Sequence, residues 1–128
     1  MKLSEQVCAL EQAKKLYALG VERRSLFYHF HGRIEHEAFG SEYYSAFTVA
    51  ELGVMLPPFT YSWMGRANTY GCVSSNQEPN DDYINYSVEN GQISNGANEA
   101  ECRAAQLIYL LENNLVTPAE INQRLTQK

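Results

Sequence analysis

The sequence predicts an α+β fold, a single small domain with helices packed on one face of an antiparallel sheet. The length of 128 residues suits one domain. Apolar residues recur at helical spacing near both ends and in the middle of the chain, whereas residues 59–93 alternate in the manner of strands. A chain of this length buries roughly two thirds of its unfolded surface, so it needs no disulfides or metal to fold. We expect residues 1–128 to form one domain.

The clearest helical signal lies between residues 98 and 115, and the other elements are predicted to pack around it. Asn98 is suited to cap the first turn, and Glu101 is placed to reach back to it. The apolar residues of this segment are spaced by three and four positions, which gathers them on one helix face. They are Ala100, Ala104, Leu107, Ile108, Leu111 and Leu115.

A first helix is predicted from Leu3 to Leu19, because its apolar and charged residues fall on opposite faces. Gly20 follows at the position where a helix closes in the left-handed conformation, and Val21 is then placed to pack on Leu16. The pattern therefore predicts both the buried face of this helix and its end.

Two shorter helices are marked by capping boxes, in which a threonine and a glutamate three residues later bond each other's backbone. The first box is Thr48 with Glu51, and prolines at positions 57 and 58 end that helix early. The second box is Thr117 with Glu120, and it has a proline at the first helical position. Each box is flanked by an apolar pair, Phe47 with Leu52 and Val116 with Ile121.

Strands are predicted from aromatic and β-branched content and from alternation. The first is Leu26–His31, and the segment after Gly32 is expected to return as its neighbour. The middle of the chain adds FTYSWM (59–64), YGCVSS (70–75) and DYINYSV (82–88). Asn90 and Gly91 form the best hairpin signal, which predicts a turn back into a short strand around Ile93.

The acidic charge balance argues against general nucleic-acid binding. The chain has 15 acidic and 10 basic residues, and no lysine or arginine lies between Ala67 and Cys102. Such a surface repels a phosphate backbone, although a few arginines in a pocket can still hold a small anion.

Compartment and cofactors are constrained by what the sequence lacks. No apolar run approaches the ~20 residues of a membrane span, and the charged N-terminus has no signal-peptide core. Cys8, Cys72 and Cys102 are far apart, which predicts reduced thiols and neither a disulfide framework nor a zinc site. We expect a protein of the cytosol, with no membrane partner and no cofactor.

The three histidines form a candidate metal site. His29, His31 and His36 fall within eight residues, beside Glu35 and Glu37. Alternate positions of a strand share a side, so the first two imidazoles are placed to chelate zinc or another divalent metal. The favoured alternative is a half-exposed strand whose polar face happens to carry histidine. No catalytic motif with a fixed spacing is present, so an enzyme is the minority hypothesis.

The segment TYSWMGRANTYG (60–71) is the best candidate for ligand binding. Tyr61 and Trp63 are predicted to share a strand face, and Arg66 and Tyr70 follow. Flat rings stack a planar base, and a guanidinium holds a phosphate through two hydrogen bonds. Arg24, which precedes another aromatic strand, is a further source of positive charge. The alternatives are that the rings fill the core, or that they form a surface for a partner protein.

Three segments, in this order along the chain, resemble a family of small uncharacterised proteins of bacteriophages and prophages. They are LEQAKKLYALGVERRSLFYH, FTVAELGVMLP and EAECRAAQLIYLLENNLVT. The resemblance covers most of the chain, departs from the family pattern mainly in the loop-rich middle, and implies no catalytic residues.

The resemblance implies an anti-defence role, since small acidic phage proteins without an enzyme motif often sequester a nucleotide signal of host immunity or mask a host protein. Sequestering proteins of this kind are typically oligomers, so a homo-oligomer is expected. The first hypothesis is therefore a non-catalytic protein that captures a small anionic, nucleotide-derived signal. The second is a module that binds a host or phage protein through an aromatic patch. The third is a metal-dependent hydrolase that uses the histidine cluster.

Overall fold

The computed structural model describes residues 3–22, 25–36, 40, 42–57, 59–64, 70–75 and 94–126. The four helices in these ranges are α1 (Leu10–Ala18), α2 (Val49–Met55), α3 (Glu99–Glu112) and α4 (Pro118–Thr126). The six strands are β1 (Tyr28–Phe30), β2 (Arg33–Glu35), β3 (Tyr44–Ser45), β4 (Phe59–Met64), β5 (Tyr70–Ser75) and β6 (Ser94–Gly96). The predicted α+β class is confirmed. No helix in this part of the chain is long and apolar enough to cross a membrane.

The described strands form two antiparallel sheets of three strands, where the sequence led us to expect one sheet. The first sheet has the order β2-β1-β3, and the second has the order β4-β5-β6. The predicted strands at 59–64 and 70–75 are both present and pair along their full length. The predicted strand at 82–88 and the turn at Asn90 and Gly91 lie outside the described residues.

Helix α3 lies at the centre of the packing, in contact with α1, α2 and all three strands of the second sheet. Asn98 caps it as predicted, since the Glu101 N–H donates to Asn98 Oδ1 at 2.9 Å. Its end differs from the prediction. The helix stops at Glu112, and Leu115 is 53% exposed instead of buried on the predicted face. Asn114 adopts a φ of 57°, which closes the helix and turns Leu115 away from it.

Helix α1 begins at Leu10 and not at the predicted Leu3. Leu3–Glu5 form a 3-10 helix, and the segment after them is extended because Val7 forms a β-bridge with Thr48 and the Cys8 N–H donates to Phe47 O at 2.9 Å. These backbone bonds to a distant segment outweigh the local helical pattern. The predicted end of the helix is confirmed, since Gly20 has a φ of 102° and the Val21 N–H donates to Leu16 O.

The predicted capping box at Thr48 is complete, and the one at Thr117 has the bond to its threonine hydroxyl. The Glu51 N–H donates to Thr48 Oγ1 at 3.2 Å, and the Thr48 N–H donates to Glu51 Oε1 at 3.0 Å. The Glu120 N–H likewise donates to Thr117 Oγ1 at 3.2 Å. The apolar residues that flank both boxes are buried in the common core, namely Phe47, Leu52, Val116 and Ile121.

Strands β1 and β2 form a hairpin with a two-residue turn. Phe30 pairs with Arg33, so His31 and Gly32 occupy the turn, with φ values of 46° and 80°. Two positive φ values define the type I′ turn, whose twist matches that of paired strands. Strand β1 is therefore shorter than the predicted Leu26–His31, and the turn fixes where His31 stands.

Candidate functional site

A cleft of about 400 Å³ lies between helix α1 and the first sheet. It gathers residues from four separate parts of the chain: the start of α1, strand β1, the hairpin turn and the segment entering β3. The lining residues are Leu10, Lys14, His29, His31, Glu42 and Tyr44. A cation, two imidazoles, a carboxylate, a phenol ring and an apolar side chain thus meet in one concave surface.

His29 is held by the N-terminal segment. Its Nε2 lies 2.7 Å from Cys8 O, and a carbonyl oxygen only accepts hydrogen bonds, so Nε2 is the donor. The neutral imidazole therefore carries its proton on Nε2 and keeps a lone pair on Nδ1. The same Cys8 donates its N–H to Phe47 O, so the bond that orients His29 is anchored in the core.

His31 stands at the tip of the hairpin in the left-handed conformation. Its Nε2 lies 3.2 Å from Glu42 Oε2, and the side chains are 63% and 70% exposed. An ion pair this exposed contributes little to stability, since water competes for both partners. The pair is therefore able to separate when a ligand enters the cleft.

Lys14 and Tyr44 place a positive charge against an aromatic ring. Lys14 Nζ lies 5.9 Å from the centroid of the Tyr44 ring, within the range of a cation–π contact. The Tyr17 ring meets the Tyr44 ring edge-on at 6.1 Å, and Tyr44 packs partly on the core. Lys14 Nζ also lies 3.8 Å from Glu11 Oε1, with both side chains largely in solvent. The ring is fixed by packing, while the ammonium remains free to turn toward a ligand.

The predicted histidine cluster is only partly assembled. His29 and His31 line the same cleft, although His31 lies in the turn and not in the predicted strand, whereas the His36 ring lies 5.1 Å from the Phe27 ring. The described ranges contain no group of three or more His, Cys, Asp or Glu side chains placed to hold a metal ion. The geometry therefore gives no support to a metal centre built on the three histidines.

The predicted ring and guanidinium site is described at the backbone of β4 and at Tyr70. Arg24 and Arg66 lie outside the described residues, and so do the side chains of Tyr61 and Trp63. The backbone pairs Tyr61 with Val73 and Trp63 with Gly71. Tyr70 is partly buried at the start of β5, between Met64 and Gly96 of the neighbouring strands.

The cleft contains residues that sequence reasoning missed. Lys14 was predicted to be a solvated residue on the polar face of α1, and β3, which carries Tyr44, is a two-residue strand without a sequence signal. Only the spacing of His29 and His31 indicated a shared side. No protein-family model, curated protein or solved structure matches the chain, so the geometry has to carry the functional argument.

Proposed function

We propose that the chain is a non-catalytic binding protein for a small anionic, nucleotide-like ligand, and that the cleft beside α1 receives it. The observation that supports this is the approach of Lys14 Nζ to 5.9 Å from the Tyr44 ring centroid, next to His29 and His31. In this arrangement the ring stacks on a planar base. The Lys14 ammonium binds an anionic group such as a phosphate, and His31 Nε2 donates to it once it leaves Glu42.

The size and the chemistry of the cleft favour this class of ligand. About 400 Å³ falls within the ~300–1,000 Å³ typical of small-molecule sites. The residues lining the cleft include no serine, threonine or cysteine.

The biological role proposed with this site is the sequestration of a nucleotide-derived signal of host defence. It rests on the resemblance to phage and prophage proteins and places the chain in the cytoplasm of an infected cell, as a homo-oligomer. Arg24, Tyr61, Trp63, Arg66 and Tyr70 remain predicted contacts for the same class of ligand.

Calorimetric titration with cyclic AMP, cyclic di-AMP and ADP-ribose tests the proposal. We expect one of these probes to bind, and the Kd to rise about tenfold or more in Lys14→Gln, because a charge-assisted hydrogen bond is lost. Tyr44→Leu removes the stacking surface and should weaken the binding of the same probe. His31→Asn removes the imidazole while Asn-Gly preserves the turn.

The matched control is Lys15→Gln. Lys15 is the next residue of α1, but its Nζ lies 2.9 Å from Glu112 Oε2 and it does not line the cleft. Its substitution should leave the affinity unchanged. Absence of binding by all three probes, or equal losses in Lys14→Gln and Lys15→Gln, would overturn the proposal.

A second candidate function is binding of a host or phage protein, and exposed apolar side chains favour it. Met64 ends β4 with 63% of its side chain exposed, and Leu26 has the same exposure. Affinity capture from infected cells should then recover a stoichiometric protein partner. The capture should be lost in Met64→Asn or Trp63→Ala and retained in Lys14→Gln, whereas loss only in Lys14→Gln would assign the partner to the cleft.

A further inference from the structure

Two of the three cysteines meet at the interface between the second sheet and α3. Cys72 belongs to β5, where it pairs with Ser94 of β6, and Cys102 lies in the first part of α3. Their thiols share a hydrogen bond, and both side chains are fully buried. Cys8 has a different environment, in which its Sγ lies 3.8 Å from Ser45 O. All three are free thiols.

Contacts on either side hold the two sulfur atoms together. Ser94 Oγ donates to Gln106 Oε1 at 2.9 Å, which ties β6 to α3. A Cβ added to Gly96 would lie 2.4 Å from the Cys102 nitrogen, so the strand backbone lies directly against the helix. A disulfide needs two cysteines on closely spaced backbones with their sulfurs adjacent. Cys72 pairs with Ser94 and shares its sheet face, so these contacts place the Cys72 side chain on the face that packs against Cys102.

The hydrogen bond makes the two thiols unequal. The Cys102 thiol donates to Glu99 O at 3.3 Å and accepts from Cys72. The bond from Cys72 lowers the pKa of Cys102, against the opposing effect of burial. The same bond and burial raise the pKa of Cys72. Cys102 is therefore the thiol that ionises and attacks, and Cys72 is the one that keeps its proton.

We propose that Cys72 and Cys102 form an oxidisable dithiol, which a peroxide converts into a disulfide that joins β5 to α3. The Cys102 thiolate attacks one oxygen of hydrogen peroxide, the O–O bond breaks, and the sulfenic acid of Cys102 forms. The leaving hydroxide takes up the proton that Cys102 lost and becomes one water. The Cys72 thiol then attacks the Cys102 sulfur and releases a second water. The two sulfurs lose two electrons in total and the peroxide gains them.

The disulfide links β5 to α3, which already pack together. The oxidised chain therefore keeps its fold and unfolds at a higher temperature than the reduced chain. Because both thiols are buried, peroxide reaches them only when the sheet and α3 separate locally, and the reaction is slow compared with that of an exposed thiol. Cys8 has no neighbouring thiol within hydrogen-bond reach in the described residues and is not expected to form a bridge.

Peptide mapping of the folded wild-type chain after treatment with hydrogen peroxide tests the proposal. The chain is unfolded after oxidation and its remaining thiols are alkylated. Before alkylation we expect the disulfide to lower the intact mass by about 2 Da. After it we expect two of the three cysteines to be unalkylated and a cross-linked peptide pair to contain Cys72 and Cys102. Dithiothreitol should restore three alkylated cysteines.

Two variants serve as matched controls. Cys8→Ala keeps the pair and should still lose about 2 Da, whereas Cys102→Ala should lose none. The proposal is overturned if Cys72 and Cys102 remain alkylatable after exposure that oxidises the methionines, or if a cross-link joins Cys8 or a second chain. The mapping of the wild-type chain decides the question even where a variant fails to fold.

Discussion

Ser25 Oγ donates a hydrogen bond to Glu51 Oε1 at 2.8 Å, which joins the segment before β1 to the first turn of α2. The other carboxylate oxygen accepts from the Leu26 N–H at 3.1 Å, and Oε1 also accepts from the Thr48 N–H. Glu51 is only 2% exposed. The glutamate that the sequence indicated as a capping residue therefore also fixes the entry to the strand that carries His29.

Glu51→Gln should destabilise the fold by about 1–3 kcal/mol. A glutamine keeps the shape but has one acceptor oxygen, so its amide group would face a backbone or hydroxyl donor in a buried site. Urea unfolding of the variant and the wild type measures the difference. Thr48→Ser keeps the capping oxygen and should change stability much less. Equal stability of Glu51→Gln and the wild type would contradict the assigned hydrogen bonds.

Gly20→Ala should lower the free energy of unfolding by about 1–2 kcal/mol. Gly20 has a φ of 102°, and an added Cβ would lie 3.0 Å from Pro118 Cβ, so both the backbone and the packing oppose a side chain. Thermal unfolding should therefore show a lower Tm. Gly32→Ala is the comparison, because Gly32 also has a positive φ but nothing within 4 Å of an added Cβ. A smaller loss of stability in Gly32→Ala than in Gly20→Ala would give the contribution of the contact with Pro118.

Asn114→Ala should destabilise the fold by about 1 kcal/mol. Asn114→Gly should be as stable as the wild type or more stable. Asn114 closes α3 with a φ of 57°, where asparagine is tolerated and alanine is strained. The Leu115 N–H donates to Leu110 O at 2.9 Å in this arrangement. Denaturant unfolding of the two variants and the wild type measures these differences in stability. An alanine variant as stable as the glycine variant would mean that the helix end relaxes without cost.

Cys8 should make the fold less stable at alkaline pH. Burial raises the pKa of this thiol from 9.0 to about 12, so below pH 9 the folded and unfolded chains both hold the proton. Above pH 9 the unfolded chain releases it first. The free energy of unfolding then falls by about 1.4 kcal/mol per pH unit until the folded thiol ionises.

Cys8→Ala should remove this contribution. The free energy of unfolding of the variant should then fall less steeply with rising pH than that of the wild type, by about 1.4 kcal/mol per pH unit. Urea unfolding at pH 8, 9.5 and 10.5 compares the two slopes, and other titrating groups cancel in the difference. Parallel curves would show that Cys8 ionises in the folded chain as easily as in the unfolded one.

The helices could be predicted because their signals are local. The cap at Asn98, the box at Thr48 and the glycine at position 20 each concern a few neighbouring residues. The start of α1 was missed because Val7 pairs with Thr48, a partner that no local pattern reveals. The two-sheet arrangement likewise depends on pairings between distant strands.

The candidate site was less predictable than the fold. His29 and His31 line one cleft, but His31 lies in the turn and not in the strand that alternation assumed. The cleft exists because α1 packs on β3 and brings Lys14 to Tyr44. That approach depends on tertiary packing. His36 follows β2 and packs on Phe27, so closeness in sequence did not bring it to the other two histidines.

The amide of Asn122 connects the last described helix to the end of the first one. Its Nδ2 donates to Gly20 O at 3.0 Å, and its Oδ1 accepts from the Glu22 N–H at 2.8 Å. These partners are about a hundred positions apart along the chain. During synthesis on the ribosome, the hydrogen bonds at the carboxyl end of α1 can form only after α4 has emerged. This junction is therefore a late step of folding.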